Sequence, residues 1–170
     1  RVPLLKMKIT VKNSPAENKT GRGIYLNNIS NSEELHLTIR GTGSLEIDSE
    51  GSGISTTGSI TVDRAGQLLI TYGSGSQGGN GLNSTGPRHP ITIQNCGNVK
   101  IRSRDGMTGH SSGAIYHQNL GEIIIENSHV ILANLTGPAI HTAGDLRCVS
   151  SDIKAIGNTS NNYVEGTLNF

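Results

Sequence analysis

Apolar residues recur along the chain in pairs of short alternating segments, and a small residue followed by an aliphatic one precedes each pair. These dipeptides are Gly23-Ile24, Gly53-Ile54, Gly81-Leu82, Ala114-Ile115 and Ala139-Ile140. In the two segments that follow, every second residue is apolar, as in Leu37/Ile39 and then Leu45/Ile47. The second segment begins seven or eight residues after the first in every unit. The pattern predicts a repeat of one short strand and two longer strands.

Alternation with a period of two dominates the chain, whereas no long stretch has apolar residues at helical spacing. A stacked solenoid must place the same type of residue at the same height in each unit, and the constant step satisfies this requirement. The step therefore favours a parallel β-helix with three sheets over an antiparallel β-sandwich, the main competing fold. Residues 7–11 are expected to form a partial coil before the first complete one. Residues 1–170 are expected to form a single domain.

Three segments carry a resemblance to known proteins. Residues 37–47 read Leu-Thr-Ile-Arg-Gly-Thr-Gly-Ser-Leu-Glu-Ile, followed by Gly-Ser-Gly-Ile at 51–54 and Gly-Ser-Ile-Thr-Val at 58–62. They resemble the repeats of secreted bacterial right-handed parallel β-helix proteins of the carbohydrate-binding or adhesin-like type, and the likeness covers roughly residues 35–156. The resemblance implies an all-β, right-handed, single-stranded parallel β-helix of about five coils. It also implies a secreted or cell-surface location, a polysaccharide or cell-surface glycan as partner and, in some members, calcium held by acidic turn residues.

Charge and cysteine content narrow the range of partners. The chain has 14 Lys plus Arg and 13 Asp plus Glu, so its formal net charge of +1 provides no global field for a nucleic-acid backbone. No run approaches the ~18 apolar residues of a membrane span. Cys96 and Cys148 fall at different points of their units and are expected to be separate thiols. The acidic residues of the predicted turns are Asp48, Glu50, Asp63 and Asp105. Because these acids are scattered, no cofactor is expected, although calcium is left open.

Residues between the inward positions of the predicted strands form outward rows along the solenoid. One row contains Thr38, Thr61, Thr92, Ile124 and Arg147, and another contains Glu46, Leu69, Lys100, Ile131 and Lys154. The outward aliphatic residues and the open solenoid ends indicate self-association, or covering of these aliphatic residues by a loop. Asn95 and Asn127 occupy equivalent turn positions in successive coils, which predicts a ladder of side-chain amides along the axis.

The longest predicted loops, at 71–80, 83–90 and 102–113, lie in the middle coils, where a rigid scaffold can present binding groups. The candidate ligand-binding residues in and beside them are Tyr72, Arg88, Arg102, Arg104, Asp105, His110, Tyr116 and His117. Arginine can bind the carboxylates of an anionic sugar by charge-assisted hydrogen bonds, with Lys100 adding a further positive charge nearby. Tyr72 and Tyr116 are expected to offer ring faces.

The favoured hypothesis is a non-catalytic extracellular carbohydrate-binding or adhesive module, part of a longer surface protein. No catalytic residue is assigned, because neither paired carboxylates nor a calcium site with a neighbouring base is evident. Two alternatives stay open. A structural stalk predicts no ligand, and a polysaccharide lyase or glycoside hydrolase of β-helix type predicts a cleft with converging carboxylates.

Overall fold

The computed structural model describes residues 5–11, 21–27, 35–74, 78–109, 111, 113–158, 163–164 and 168–169. In chain order the strands are β1 (Lys6–Val11), β2 (Ile24–Leu26), β3 (His36–Arg40), β4 (Ser44–Ser49), β5 (Ile54–Thr56), β6 (Ser59–Asp63), β7 (Gln67–Tyr72), β8 (Leu82–Ser84), β9 (Ile91–Gln94), β10 (Val99–Ser103), β11 (Ile115–His117), β12 (Ile123–Glu126), β13 (His129–Asn134), β14 (Ile140–Thr142), β15 (Leu146–Val149), β16 (Asp152–Gly157), β17 (Tyr163–Val164) and β18 (Leu168–Asn169). These residues contain no helix, and hence none long and apolar enough to cross a membrane.

Every third strand belongs to the same sheet, so the chain winds through three parallel six-stranded sheets in turn. Sheet I contains β2, β5, β8, β11, β14 and β17; sheet II contains β3, β6, β9, β12, β15 and β18; sheet III contains β1, β4, β7, β10, β13 and β16. Strands β2 to β16 make five complete coils, with β1 stacked before them and β17 and β18 after them. The predicted all-β parallel β-helix of about five coils is confirmed, as is the partial coil formed by residues 7–11.

The core consists of columns of aliphatic side chains that continue from coil to coil. One column of sheet II holds Leu37, Ile60, Ile91, Ile123 and Leu146 in direct register. The three central members are fully buried, whereas Leu37 at one end is only partly buried. Each coil therefore covers the apolar faces of its neighbours, which is why the same residue type must recur at the same height.

Close packing inside each coil explains the glycine that precedes each of the first three strands of sheet I. A Cβ atom on Gly81 would overlap the Cγ2 methyl of Ile101 in sheet III, and the same overlap recurs in the two preceding coils. In the next coil Ala114 takes the glycine position, and sheet III there holds Leu132, which has no branch at Cβ. The size of the residue before the short strand is thus matched to the side chain across the coil.

The turns from sheet II to sheet III share a left-handed first residue. Arg64, Asn95, Asn127 and Ser150 occupy this position, with φ between 46° and 55°. Asn127 Nδ2 donates a hydrogen bond to Asn95 Oδ1 at 3.3 Å. The predicted amide ladder is confirmed for this pair, and asparagine tolerates the left-handed conformation better than most residues.

The two cysteines are free thiols, as predicted. Cys148 lies at an inward position of β15, and Cys96 lies in the turn after β9. Burial raises the pKa of both thiols, so neither has the thiolate character of a reactive cysteine.

Candidate functional site

The eight candidate residues do not meet at one place. Arg102 lies on the outer face of sheet III, and Asp105 lies in the turn that follows it. Arg88 is exposed in the turn between sheets I and II, while Tyr116 lies on the outer face of sheet I. His110 lies outside the described residues. The coil architecture therefore separates Arg88 and Tyr116 from the arginine on sheet III.

Two of the candidates, Tyr72 and His117, point into the solenoid. Both side chains are 0% exposed, and burial raises the pKa of the Tyr72 hydroxyl well above its usual range. The His117 ring is held by backbone groups, with Nε2 2.5 Å from His89 O and Nδ1 2.8 Å from Asn119 O. Tyr72 occupies the third inward position of β7 and His117 the second inward position of β11, so neither side chain is presented at the surface as the prediction required.

Arg104 fixes the loop that follows β10. Its guanidinium forms an ion pair with Asp48, and Nε donates a hydrogen bond to Gly73 O at 3.0 Å. Its backbone N–H donates to Tyr72 O at 2.8 Å, and the nearby Met107 is buried against Gly73. Because its donors face protein acceptors, Arg104 serves to position this loop.

The outer face of sheet III carries three exposed cationic side chains in its later coils: Lys100, Arg102 and Lys154. Lys100 and Lys154 belong to the same row, with Ile131 between them in direct register. Arg102 lies two residues beyond Lys100 on β10. None of the three cations has an acidic partner within 4.0 Å among the residues that the structure describes.

Apolar side chains fill the spaces between these cations. Ile131 and Ala133 are half-buried on β13, while Ile156 on β16 and Leu135 after β13 are 51% and 47% exposed. Together with the three cations and Asp105 they line a shallow depression of about 390 Å³. We call the set of Lys100, Arg102, Lys154, Ile131, Ala133 and Ile156 the cationic face.

Sheet geometry sets the spacing of the positive charges. Neighbouring strands lie about 4.8 Å apart, so Lys100 and Lys154 are separated by about 9.6 Å between their Cα atoms. Residues two apart on one strand are separated by about 6.6 Å, which is the spacing of Lys100 and Arg102. The strands hold these backbone positions rigidly through hydrogen bonds to both neighbouring coils or, at β16, to one.

The arginines on and beside sheet II differ from the cations on sheet III because they form ion pairs with acidic side chains. Arg147 forms ion pairs with Glu122 at 3.2 Å and with Glu126. Arg40 and Arg64 share the carboxylate of Asp63, at 3.0 and 3.1 Å. Among the residues that the structure describes, the arginines on and beside sheet II are therefore paired with acids, unlike the three cations on sheet III.

The predicted turn acids are partly engaged within the protein. Asp63 accepts a hydrogen bond from Gln94 Nε2 at 3.3 Å in addition to its ion pairs, and Asp48 is paired with Arg104. Within the described ranges, no group of three or more His, Cys, Asp or Glu side chains could hold a metal ion.

Tyr116 forms a separate aromatic pair on sheet I. Its ring meets that of His141 edge to face, with centroids 5.0 Å apart and planes at 78°. The pair lies in the outward row that also contains Asn83. Tyr116 stays a predicted contact residue, on a different sheet from the cationic face.

Sequence reasoning omitted Lys154 and Ile156 from the candidate set. Lys154 belongs to the predicted outward row that contains Lys100 and Ile131, so the alternation of inward and outward residues is sufficient to identify it. Ile156 continues the next outward row, beside Ala133. Extending every row to the last coil would have identified most of the cationic face.

Comparisons with known proteins do not assign a function to the cationic face. The fold defines the class, a parallel β-helix protein. No protein-family model, no curated protein and no solved structure matches the chain. The cationic face is therefore the feature of the molecule that indicates a function.

Proposed function

We propose that the protein is a non-catalytic, extracellular carbohydrate-binding or adhesive module that binds an anionic polysaccharide through the cationic face. The supporting observation is the grouping of Lys100, Arg102 and Lys154 on one sheet face, with no acidic partner among the described residues. Carboxylate and sulfate groups accept strong charge-assisted hydrogen bonds from such side chains.

The apolar residues of the cationic face support a sugar ligand over a simple anion. Ile131 and Ala133 lie between cationic positions, where the C–H surface of a sugar ring can be removed from water. The resemblance of residues 35–156 to carbohydrate-binding and adhesin-like repeats supports the same ligand class and an extracellular location.

The placement of the cations on strands favours binding without a large conformational cost. Loops lose backbone freedom when they order around a ligand, whereas the backbone of β10 is already fixed by β7 and β13. The ligand must still order the long side chains, and exposed ion pairs are individually weak. Useful affinity therefore requires several contacts along one polymer.

A glycan array with and without calcium tests the proposal. We expect the wild-type protein to bind uronic or sulfated glycans, and binding to weaken as salt increases because the charges are exposed. The triple variant Lys100→Gln/Arg102→Gln/Lys154→Gln should fold normally and lose binding. Lys8→Gln is the matched control, because it removes an exposed lysine on sheet III whose charge is already paired with Glu46. Silence of the folded wild-type protein across the array would reject the proposal and favour a structural stalk.

A further inference from the structure

We propose that the polysaccharide lies along the helix axis and bridges Lys100 and Lys154, presenting an anionic group to the cationic face at every second sugar. This inference rests on the proposed function and adds the direction and the charge repeat of the ligand. It follows from the order of residues along one outward row of sheet III.

The row alternates between apolar and cationic residues in its later part. Leu69, Lys100, Ile131 and Lys154 lie in direct register on β7, β10, β13 and β16. The cations are thus two strands apart, a separation of about 9.6 Å along the axis. A pyranose unit in an extended chain covers about half of this distance, so the first and third sugars of a bound segment would meet the two lysines.

The direction along a strand, perpendicular to the helix axis, also offers two cations, but at a closer spacing. Lys100 and Arg102 are neighbours on the outer face of β10, but the next outward residue before them is Asn98, which is uncharged. In the other direction, Arg104 is turned toward Asp48 and Gly73 O. A chain lying along β10 would meet its two cations at adjacent outward positions, whereas an axial chain meets Lys100 and Lys154 with the apolar Ile131 between them.

The residue between the two lysines explains the charge repeat. Ile131 is half-buried and is flanked on its own strand by Ala133, so this position offers no side-chain donor to a carboxylate. An anionic group directed at Ile131 would lose water without gaining a partner, which is unfavourable. The middle sugar must therefore turn an uncharged surface toward the sheet and any charged group toward solvent.

The other end of the same row is neutral. Lys8 forms an ion pair with Glu46 at 2.7 Å, and Leu69 follows next in the row. Anion binding is thereby restricted to the part of the row between β10 and β16. Lys8 also provides a matched control, since it is an exposed lysine of the same row whose charge is already compensated.

The test measures how affinity depends on ligand length. Galacturonate and chondroitin sulfate oligomers of increasing length, starting from one sugar, are titrated into the wild-type protein by calorimetry at constant ionic strength. We expect affinity to rise by about fivefold when the oligomer first becomes long enough to bridge the two lysines, at three sugars, because a second exposed charge pair then forms. Lys154→Gln should abolish this step. Lys8→Gln should leave it unchanged, and Arg102→Gln should weaken all lengths while preserving it.

The outcomes separate this inference from the proposed function. A length step that survives in Lys154→Gln but disappears in Arg102→Gln would overturn the axial direction and leave the anionic-glycan function intact. Binding that does not depend on length, or array binding without binding of either oligomer series, would also overturn the inference. Absence of binding to every acidic glycan on the array would reject the proposed function together with the inference.

Discussion

Gly81 packs so closely against Ile101 that the coil has no room for a side chain at this position. We predict that Gly81→Ala lowers the free energy of unfolding by about 1–3 kcal/mol, because the added methyl overlaps Ile101 Cγ2 and the backbone of Ala114. The measurement is urea denaturation of both proteins. Gly97→Ala is the control, since a Cβ there would meet only one backbone oxygen, at 3.2 Å. Equal stability of Gly81→Ala and the wild-type protein would contradict the packing argument.

The buried imidazole of His117 makes stability depend on pH. Burial lowers the pKa of His117 from 6.5, the largest effect, although hydrogen bonds to His89 O and Asn119 O act in the opposite direction. The folded protein therefore binds fewer protons than the unfolded chain as the pH falls below about 6.5. The stabilisation linked to the neutral ring is complete above this pH and is lost as the pH falls toward the folded pKa.

We predict that the free energy of unfolding of the wild-type protein falls more steeply between pH 7.5 and pH 5.5 than that of His117→Gln. The two proteins are compared by urea denaturation at several pH values in this interval. His129→Gln serves as the control, because His129 is half-exposed and bonded to the exposed Asp152. Identical pH slopes for wild type and His117→Gln would show that His117 is not responsible.

The turn from sheet II to sheet III repeats the same backbone conformation in several coils but fills it with different residues. Asn95 and Asn127 combine the left-handed conformation with a side-chain hydrogen bond, whereas Ser150 adopts φ 48° at the next position along the axis. We predict that Ser150→Asn raises the free energy of unfolding by about 0.5–1 kcal/mol, because asparagine tolerates this conformation and adds a rung to the ladder.

Thermal and urea denaturation of Ser150→Asn and Ser150→Ala measure this effect. Alanine provides no side-chain hydrogen bond and is less suited than asparagine to positive φ, so Ser150→Ala should not be stabilised. If both variants were equally stable, the ladder would add nothing at this turn.

The sequence predicted the positions of the strands but not their ends. Periodicity located the strands of each coil and their outward rows, because a residue in register has the same environment in every coil. It did not show where each strand ends. The inward series Leu68, Ile70 and Tyr72 extends one alternation beyond the apolar pair, so Tyr72 was assigned to a loop although it closes β7.

Contacts within the loops were not predictable in the same way. The Arg104–Asp48 pair joins residues 56 positions apart and depends on how the loop after β10 turns. No repeat position encodes that turn. The sequence therefore did not predict the structural role of Arg104, and it assigned Arg102 to the loop 102–113 although this residue lies on the outer face of β10.

At the scale of the whole molecule, stability should decrease from the centre toward both ends. Each coil contacts its immediate neighbours, and central residues such as Ile70 and Ile101 are fully buried, whereas Met7 on β1 is 50% exposed. We predict that backbone amides of β7 and β10 exchange with deuterium more slowly than those of β1 and β16, because the end coils can open separately. Hydrogen-exchange mass spectrometry measures the difference. Uniform protection of all coils would show that the solenoid opens as a single cooperative unit.

The small net charge of +1 conceals a sorting of charges between faces. On sheet II the arginines are paired with Asp63, Glu122 and Glu126, while the later coils of sheet III keep their cations unpaired among the described residues. A net charge of +1 predicts no strong long-range field. It could not indicate a local surface that acts within about 10 Å, the range over which exposed charges interact at moderate salt.

The hydrogen bonds between coils run parallel to the helix axis, since every strand pairs with strands of the coils above and below it. When a tethered β-helix is stretched along this axis, the pulling force acts along those bonds, and all coil interfaces carry the same force because they lie in series. The weakest interface then breaks first. The released coil adds length to the chain, which must be extended before the next interface breaks. A β-helix built in this way would absorb mechanical work by unwinding in steps while its remaining coils stay folded.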